Sequence, residues 1–289
     1  MDEMKSKVCI VTGSNSGIGK ETALALARMG ATLVMVVRDR GRGEKARTEI
    51  VDQSGNTSVN LMICDISSMD SIHHFASEFK QKYDQLDVLV NNAGAVFYRR
   101  EVTPEGFERT LAVDYLGHFL LTHELLDLLR RNSPSRIINV SSGLAKDGKV
   151  DLSDLQSEKK YDGMKAYSNA KLMLIMFTYE LAERLRSSGV TANVAFPGFV
   201  ATNLGANSGS LRTSIMFKMV RPMQIKPEKG AETSVYLASS ESVRGVTGKC
   251  FAKKMETSAC QTPDQALQAQ LWAKTFELLG IPSEMAKGN

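Results

Sequence analysis

The sequence predicts one α/β domain, a doubly wound parallel sheet with helices on both faces. Three observations predict it. Short runs rich in Val, Ile and Leu, apolar at nearly every position, alternate with segments of helical periodicity. Strands buried on both faces read that way, whereas half-exposed strands alternate apolar and polar residues. No repeat, low-complexity tract or Pro/Gly/Ser-rich linker divides residues 1–289, so a single domain is expected.

The strands are expected at 7–12 (KVCIVT), 32–37 (TLVMVV), 59–64 (VNLMIC), 86–91 (LDVLVN), 136–141 (RIINVS) and 191–196 (TANVAF). A weaker candidate lies at 247–252 (TGKCFA). Helical spacing fills 17–29, 43–53, 68–83, 104–130, 165–188 and 228–239, long enough for the crossovers that parallel strands require. Residues 203–227 (NLGANSGSLRTSIMFKMVRPMQIKP) break this rhythm. They read as an insertion within the domain, lying over the carboxyl edge of the sheet, where such folds bind ligands.

Charge and cysteine usage narrow the function. The net charge is +4 and the basic residues are scattered, so nucleic acid is not an expected partner; tracking phosphates needs a clustered basic stripe. Cys9, Cys64, Cys250 and Cys260 show no CxxC spacing, and reduced thiols are expected. His73, His74, His118 and His123 form no metal-binding pattern, so no metal is expected. The opening run MDEMKSKVCIVTG reaches a turn too soon for a signal peptide, and no apolar run spans a membrane; a cytoplasmic protein is expected.

The first strand runs into VTGSNSGIGKETA, a glycine-rich turn that opens the first helix. Gly13, Gly17 and Gly19 let the backbone turn tightly and approach an anion, while the helix N-terminus supplies unpaired amides and a favourable dipole. Strand, turn and helix in this order indicate a dinucleotide site. No Gly-Lys-Ser/Thr ends the turn, which excludes a Walker loop. The second strand ends VVRDRGR, where an acidic residue would accept from a ribose hydroxyl and an arginine would meet a 2′-phosphate. Arg38 holds the phosphate-binding position, so NADP(H) is expected in preference to NAD(H).

Further along, AYSNAK places Tyr167 and Lys171 four residues apart on a helix and therefore on one face. A phenol is a poor acid or base at neutral pH, and a neighbouring ammonium favours its ionised form. Such a pair can exchange a proton with a carbonyl oxygen. Ser142, at the end of RIINVSS, is placed to hydrogen-bond the same oxygen.

Six motifs follow one another in the order found in the short-chain dehydrogenases/reductases: TGSNSGIG (12–19), CDIS (64–67), NNAG (91–94), VSS (140–142), YSNAK (167–171) and PGFVAT (197–202). The chain resembles that family over residues 7–202. The segments GKETA, RDRGRGE, LGHFLLT, SRIINVSS and AYSNAKL are most similar to its retinol-dehydrogenase-like branch. The resemblance implies a Rossmann fold with a seven-stranded parallel sheet and hydride transfer between NADP(H) and an alcohol/carbonyl pair. It implies Tyr167 as general acid/base, Lys171 as the group that lowers its pKa and binds the nicotinamide ribose, and Ser142 as the group polarising the substrate oxygen. Gly13, Ser14, Asn15, Ser16, Gly17, Ile18 and Gly19 would hold the diphosphate. Asp65 and Ile66 would meet the adenine, and Asn92, Ala93 and Gly94 the adenosine side. Pro197, Gly198, Val200 and Thr202 would hold the nicotinamide.

One position departs from the pattern. The helix after NNAG in these relatives usually carries an Asn before the LGHF segment, where it keeps a helix distortion and an ordered water on the proton path. Here the residue is Asp114, in LAVDYLGHFLLT. An amide both donates and accepts, whereas a carboxylate only accepts. A carboxylate beside Tyr167 disfavours phenolate, and burial raises the carboxylate's own pKa. We therefore place Asp114 among the catalytic candidates. The rival reading is a catalytically impaired NADP-binding regulator or scaffold; an isomerase, dehydratase or light-driven reductase would use the same residues.

The substrate pocket is expected from Val96 to Arg100, from Leu144 and Ala145, and from the insertion, whose Leu204, Leu211, Ile215, Met216, Phe217, Met219, Val220 and Met223 are apolar. Such walls suit a lipophilic aldehyde, ketone or alcohol. Helices 104–130 and 165–188 are apolar on more than one face and need a covering surface. In the relatives the chain resembles, the equivalent helices pack across a subunit contact, so the resemblance implies a homodimer or homotetramer.

Overall fold

The computed structural model describes residues 3–198, 225–258 and 265–282. The first half alternates strictly: β1 (Val8–Thr12), α1 (Gly17–Arg28), β2 (Thr32–Val37), α2 (Arg40–Ser54), β3 (Val59–Ile63), α3 (Met69–Lys82) and β4 (Val88–Asn91). A composite helix follows, made of α4 (Arg109–Leu111), a π-helical turn at Ala112–Leu116 and α5 (Gly117–Arg131). The remainder is β5 (Ser135–Val140), α6 (Gly163–Arg184), β6 (Val190–Phe196), α7 (Pro227–Ser239), β7 (Cys250–Ala252), β8 (Met255–Glu256) and α8 (Gln265–Leu278).

The strands form one sheet in the order β3-β2-β1-β4-β5-β6-β7-β8. All pairings from β3 to β7 are parallel. The sheet thus exceeds the implied seven strands by one: β8 adds antiparallel to β7. Lys253 and Lys254, both with positive φ (51° and 64°), make the two-residue turn between them. A turn with both residues left-handed matches strand twist, which is why so short a hairpin closes.

Alternate strand residues feed two separate cores. Val8, Ile10, Val34, Val36 and Ile137 face the layer of α3, α5, α6 and α8, whereas Cys9, Val11, Leu33, Met35 and Val90 face α1, α2 and α7. Cys9 and Cys64 are buried free thiols, and burial holds the Cys9 thiol far above its usual range. Cys250 is disulfide-bonded, a correction to the expectation of four reduced thiols.

Two helices differ from the sequence reading. The periodic run beginning at 104 becomes helical only at Arg109, because residues 102–108 close a tight loop bridged between Val102 and Glu108, with Gly106 at φ 89°. The Glu108 carboxylate then caps the helix, accepting from the amides of Thr110 (2.8 Å) and Leu111 (2.7 Å). The second difference is α8, which the sequence reading did not anticipate. Trp272 and Phe276 lie 5.1 and 5.2 Å from the Phe119 ring, and Trp272 stacks on Phe177 at 5.9 Å. The Tyr115 hydroxyl meets Thr275 Oγ1 at 2.6 Å. The second apolar face of α5 and α6 is therefore covered, at least in part, from within the chain. The large apolar side chains exposed among the described residues, Val102, Leu144, Ile225 and Met255, lie on neither helix.

Candidate active site

Strand order reverses between β1 and β4, so the loops leaving their carboxyl ends diverge and open a cleft. The two strand ends are fastened together. Thr12 Oγ1 accepts from the amides of Asn92 (2.8 Å) and Ala93 (2.9 Å), and Asn92 Nδ2 donates to the Thr12 carbonyl (2.8 Å). Deeper in the sheet, Asn91 Nδ2 donates to Thr122 Oγ1 and Asn139 Oδ1, joining β4 to α5 and β5.

Above this anchor lies the glycine turn. Gly13 has φ 65°, and a Cβ on it would stand 3.0 Å from the Ala93 Cα. A Cβ on Gly19 would come within 2.4 Å of both Asn92 Nδ2 and the Gly13 carbonyl. The turn therefore closes against the NNAG loop only with glycine at both positions. No side chain caps the N-terminus of α1, and its first turn holds no acidic residue. Free amides and an uncompensated dipole at the cleft wall fit a diphosphate.

The cleft encloses about 400 Å³. Of the sequence-predicted cofactor residues, Gly13, Asn15, Ser16, Gly17, Ile18, Gly19, Arg38, Asp65, Ile66, Asn92, Ala93, Gly94, Tyr167, Lys171 and Pro197 line it together. Ser14 does not: it is fully buried beneath the turn, its hydroxyl without a partner. Gly198 is exposed just past the lining at φ 81°. Val200, Thr202 and the apolar insertion residues 204–223 lie outside the described residues. Val96, Phe97 and Ala145, expected in the substrate pocket, are buried, whereas Leu144 is exposed.

At the far end of β2, Arg38 is exposed, lines the cleft and has no ion-pair partner among the described residues. Asp39, beside it, is committed elsewhere: its carboxylate caps α2 by accepting from the Arg42 amide at 2.8 Å. Arg42 adds a second cation to the same wall. Asp65 accepts from the Ser67 amide (2.9 Å) and hydroxyl (2.7 Å), which fixes the β3–α3 loop. A second cavity of about 740 Å³ between α1 and α7 is lined by Glu3, Glu21, Glu228, Glu232 and Glu241 against Arg28 and Lys254, a net negative lining that disfavours phosphate.

The titratable cluster sits at the inner end of the cleft. Asp162 caps α6 by accepting from the amides of Met164 and Lys165, both at 3.0 Å. Tyr167 and Lys171 then fall one turn apart on its buried face, the ammonium 5.8 Å from the phenol ring. Lys171 Nζ donates to the Val140 carbonyl (3.2 Å) and pairs with Asp114 Oδ1 at 3.0 Å. The other Asp114 oxygen accepts from the Ala95 amide at 3.2 Å. Gly94 makes room for the pair, since a Cβ there would stand 2.8 Å from Asp114 Oδ1. Ser142 is half-buried and caps the 3₁₀ turn after β5, accepting from the Leu144 amide at 3.3 Å. Ser141, one residue earlier, lines the cleft and donates to the Lys171 carbonyl (3.0 Å).

Burial and charge compete at each group. Burial raises the Asp114 pKa to about 6, against the pull of Lys171 and the Ala95 amide. Burial alone would lower Lys171, but Asp114 and Tyr167 hold it above the ordinary lysine value. The Tyr167 phenol is raised by burial and by Asp114; Lys171 and Ser142 oppose this without reversing it. The expected lowering by lysine is thus present but outweighed. His118, which sequence reasoning did not assign, is fully buried; its Nε2 meets the Ala93 carbonyl at 2.8 Å. Burial and the Lys171 charge push its pKa down to about 3, so it is neutral and donates to Ala93.

The family model for short chain dehydrogenases matches residues 7–212. Human retinol dehydrogenase 13 is 39% identical over 281 residues, spanning 95% of this chain and 85% of that protein. The chain belongs to the short-chain dehydrogenase family. Like other family members it is an oxidoreductase acting on alcohol/carbonyl groups with a nicotinamide cofactor. Among solved structures, an uncharacterised protein from Mycobacterium paratuberculosis superimposes with a TM-score of 0.76 at 29% identity, covering 96% of this chain and 94% of that one. A protein described as an NAD(P)-dependent gluconate 5-dehydrogenase from Beutenbergia cavernae, solved with NADP bound, gives 0.68 at 25% identity, covering 88% and 97%. No helix among the described residues is long and apolar enough to cross a membrane, and no group of metal-ligating side chains occurs among them.

Proposed function

We propose that this short-chain dehydrogenase is an NADP(H)-dependent carbonyl reductase or alcohol dehydrogenase for lipophilic small molecules, with Tyr167 as its proton-exchanging group. The observation that carries the reading is the buried Tyr167–Lys171 pair at the inner end of the glycine-turn cleft. When bound, the nicotinamide supplies or accepts the hydride. Tyr167 gives a proton to the carbonyl oxygen in reduction and takes it back in oxidation, while Ser142 holds that oxygen in place. Lys171, held by the Val140 carbonyl and Asp114, supplies positive charge behind the phenol and a donor for the ribose hydroxyls. The glycine turn Gly13–Gly19 holds the diphosphate, and Asp65, Ile66 and Asn92–Gly94 the adenosine.

Preference for NADP(H) rests on Arg38, exposed in the cleft while its acidic neighbour Asp39 caps α2. The lipophilic substrate class rests on the apolar sequence of the insertion and on the retinol dehydrogenase named among the relatives. Oxidation of NADPH and NADH against aldehydes, ketones, quinones and retinaldehyde tests the reading. Turnover with NADPH that Tyr167→Phe abolishes is the expected result. Cofactor binding without turnover across that panel would overturn it in favour of the regulator or scaffold.

A further inference from the structure

We infer that Asp114 is a positioning residue whose carboxylate balances the Lys171 ammonium and so sets the pH at which Tyr167 exchanges its proton. The inference deepens the reading of Tyr167 as acid/base and rests on it. Its basis is geometric. Asp114 is fully buried on the π-helical turn, with one oxygen 3.0 Å from Lys171 Nζ and the other held by the Ala95 amide. Tyr167 therefore faces an ion pair and not a lone ammonium.

Of the other charged or titratable groups around the pair, Glu108 adds a minor push toward protonated Asp114, and His118 carries no charge. Glu108, at the cap of α4, spends its carboxylate on the Thr110 and Leu111 amides and on the Tyr161 hydroxyl (3.0 Å). His118, on α5, is neutral and bound to Ala93. β5 and the loop after β4 contribute uncharged backbone groups, the Val140 carbonyl and the Ala95 amide. Among the described residues, the charge that Tyr167 meets is set by Lys171 and Asp114.

In reduction the carbonyl carbon gains hydride from the reduced nicotinamide, and its oxygen gains the Tyr167 proton. The phenolate is then reprotonated from solvent, and oxidation runs both transfers backwards. Oxidation consequently needs phenolate, and a carboxylate beside Lys171 moves that requirement to higher pH. Asp114 also titrates itself near pH 6, which adds an acidic inflection.

The experiment compares wild type with Asp114→Asn, Asp114→Ser and Tyr167→Phe. It reads kcat and kcat/KM for one accepted alcohol with NADP⁺ and its carbonyl with NADPH, from pH 5 to 10. Melting temperature and NADPH affinity are followed alongside. Both neutral variants are expected to move the alkaline limb down by about one pH unit, roughly tenfold in oxidation rate below the limb. Both should also lose the inflection near pH 6. A uniform rate loss at every pH, or an unchanged profile in either folded variant, would overturn the inference. Full activity in Tyr167→Phe would instead sink the acid/base reading, and this inference with it.

Discussion

Replacing Arg38 tests the cofactor assignment most directly. Arg38 stands exposed at the carboxyl end of β2, within the cleft lining and free of an ion-pair partner among the described residues. Its removal therefore breaks no internal contact, and the effect falls on the ligand. A charge-assisted hydrogen bond contributes about 1.5–3 kcal/mol, and an exposed guanidinium belongs at the lower end. Arg42, on the same wall, retains part of the attraction. Arg38→Ala is accordingly expected to weaken NADPH binding by roughly 10- to 100-fold and NADH by no more than about threefold. Arg38→Asp should widen that loss by repelling the 2′-phosphate. Dissociation constants from calorimetry or cofactor fluorescence give both values on one preparation. The wild-type preference should also shrink as salt rises, because exposed charges are screened within about 10 Å at 0.1 M. Equal losses for the two cofactors, or none for NADPH, would refute the reasoning and assign Arg38 to a solvated loop.

Three further outcomes follow from packing and charge. Trp272→Ala removes a large ring wedged among Phe119, Phe177 and Phe276, with the Arg184 guanidinium 4.7 Å above it. A buried Trp→Ala change costs about 3–5 kcal/mol, so calorimetry should show a melting point lower by roughly 6–20 °C. Gly117→Ala places a Cβ 2.0 Å from the Ile66 carbonyl, a backbone atom that cannot swing aside. Overpacking of about 1–3 kcal/mol is expected, with NADPH affinity falling as well, because Ile66 lines the cleft. Folded Asp114 holds its proton more tightly than the unfolded chain does, with a pKa raised from 3.8 to about 6. That contribution is complete below about pH 4 and lost as pH rises through 6, so wild type should lose melting temperature relative to Asp114→Asn between pH 4.5 and 7.5.

What the sequence made legible was local chemistry. Gly13 and Gly19 were readable because a turn that tight tolerates no Cβ, and Tyr167 and Lys171 because a four-residue spacing fixes a common face. The place of Arg38 at a strand end on the cleft wall was readable; that Asp39 is spent on capping α2 was not, since a cap and a ribose ligand use the same carboxylate. The inward side chain of Ser14 was not readable, because a serine among glycines does not show which way the turn folds it. Helix α8 escaped notice because its apolar residues match the unpaired faces of α5 and α6, a correspondence visible only once those helices are packed. A second apolar face in a sequence likewise does not say whether its cover is another copy or another helix of the same chain.

The π-helical turn at 112–116 explains why the most unusual residue of the site was the hardest to interpret. An uninterrupted α-helix would bond residue 117 to 113; here the Gly117 amide reaches the Ala112 carbonyl, and one extra residue enters the register. That insertion reconciles requirements on both sides of it. Before the turn, Thr110 and Leu111 must meet the Glu108 cap. After it, Gly117 must lie against Ile66, and His118 must reach the Ala93 carbonyl at 2.8 Å. The widened turn carries Asp114 within 3.0 Å of Lys171. Helical periodicity counted along LAVDYLGHFLLT assumes 3.6 residues per turn and so assigns Asp114 to a face but not to a partner. The same backbone irregularity thus ties the wall formed by the β3–α3 loop to the lysine behind Tyr167, which is why a change at Gly117 should register in cofactor affinity and a change at Asp114 in proton transfer.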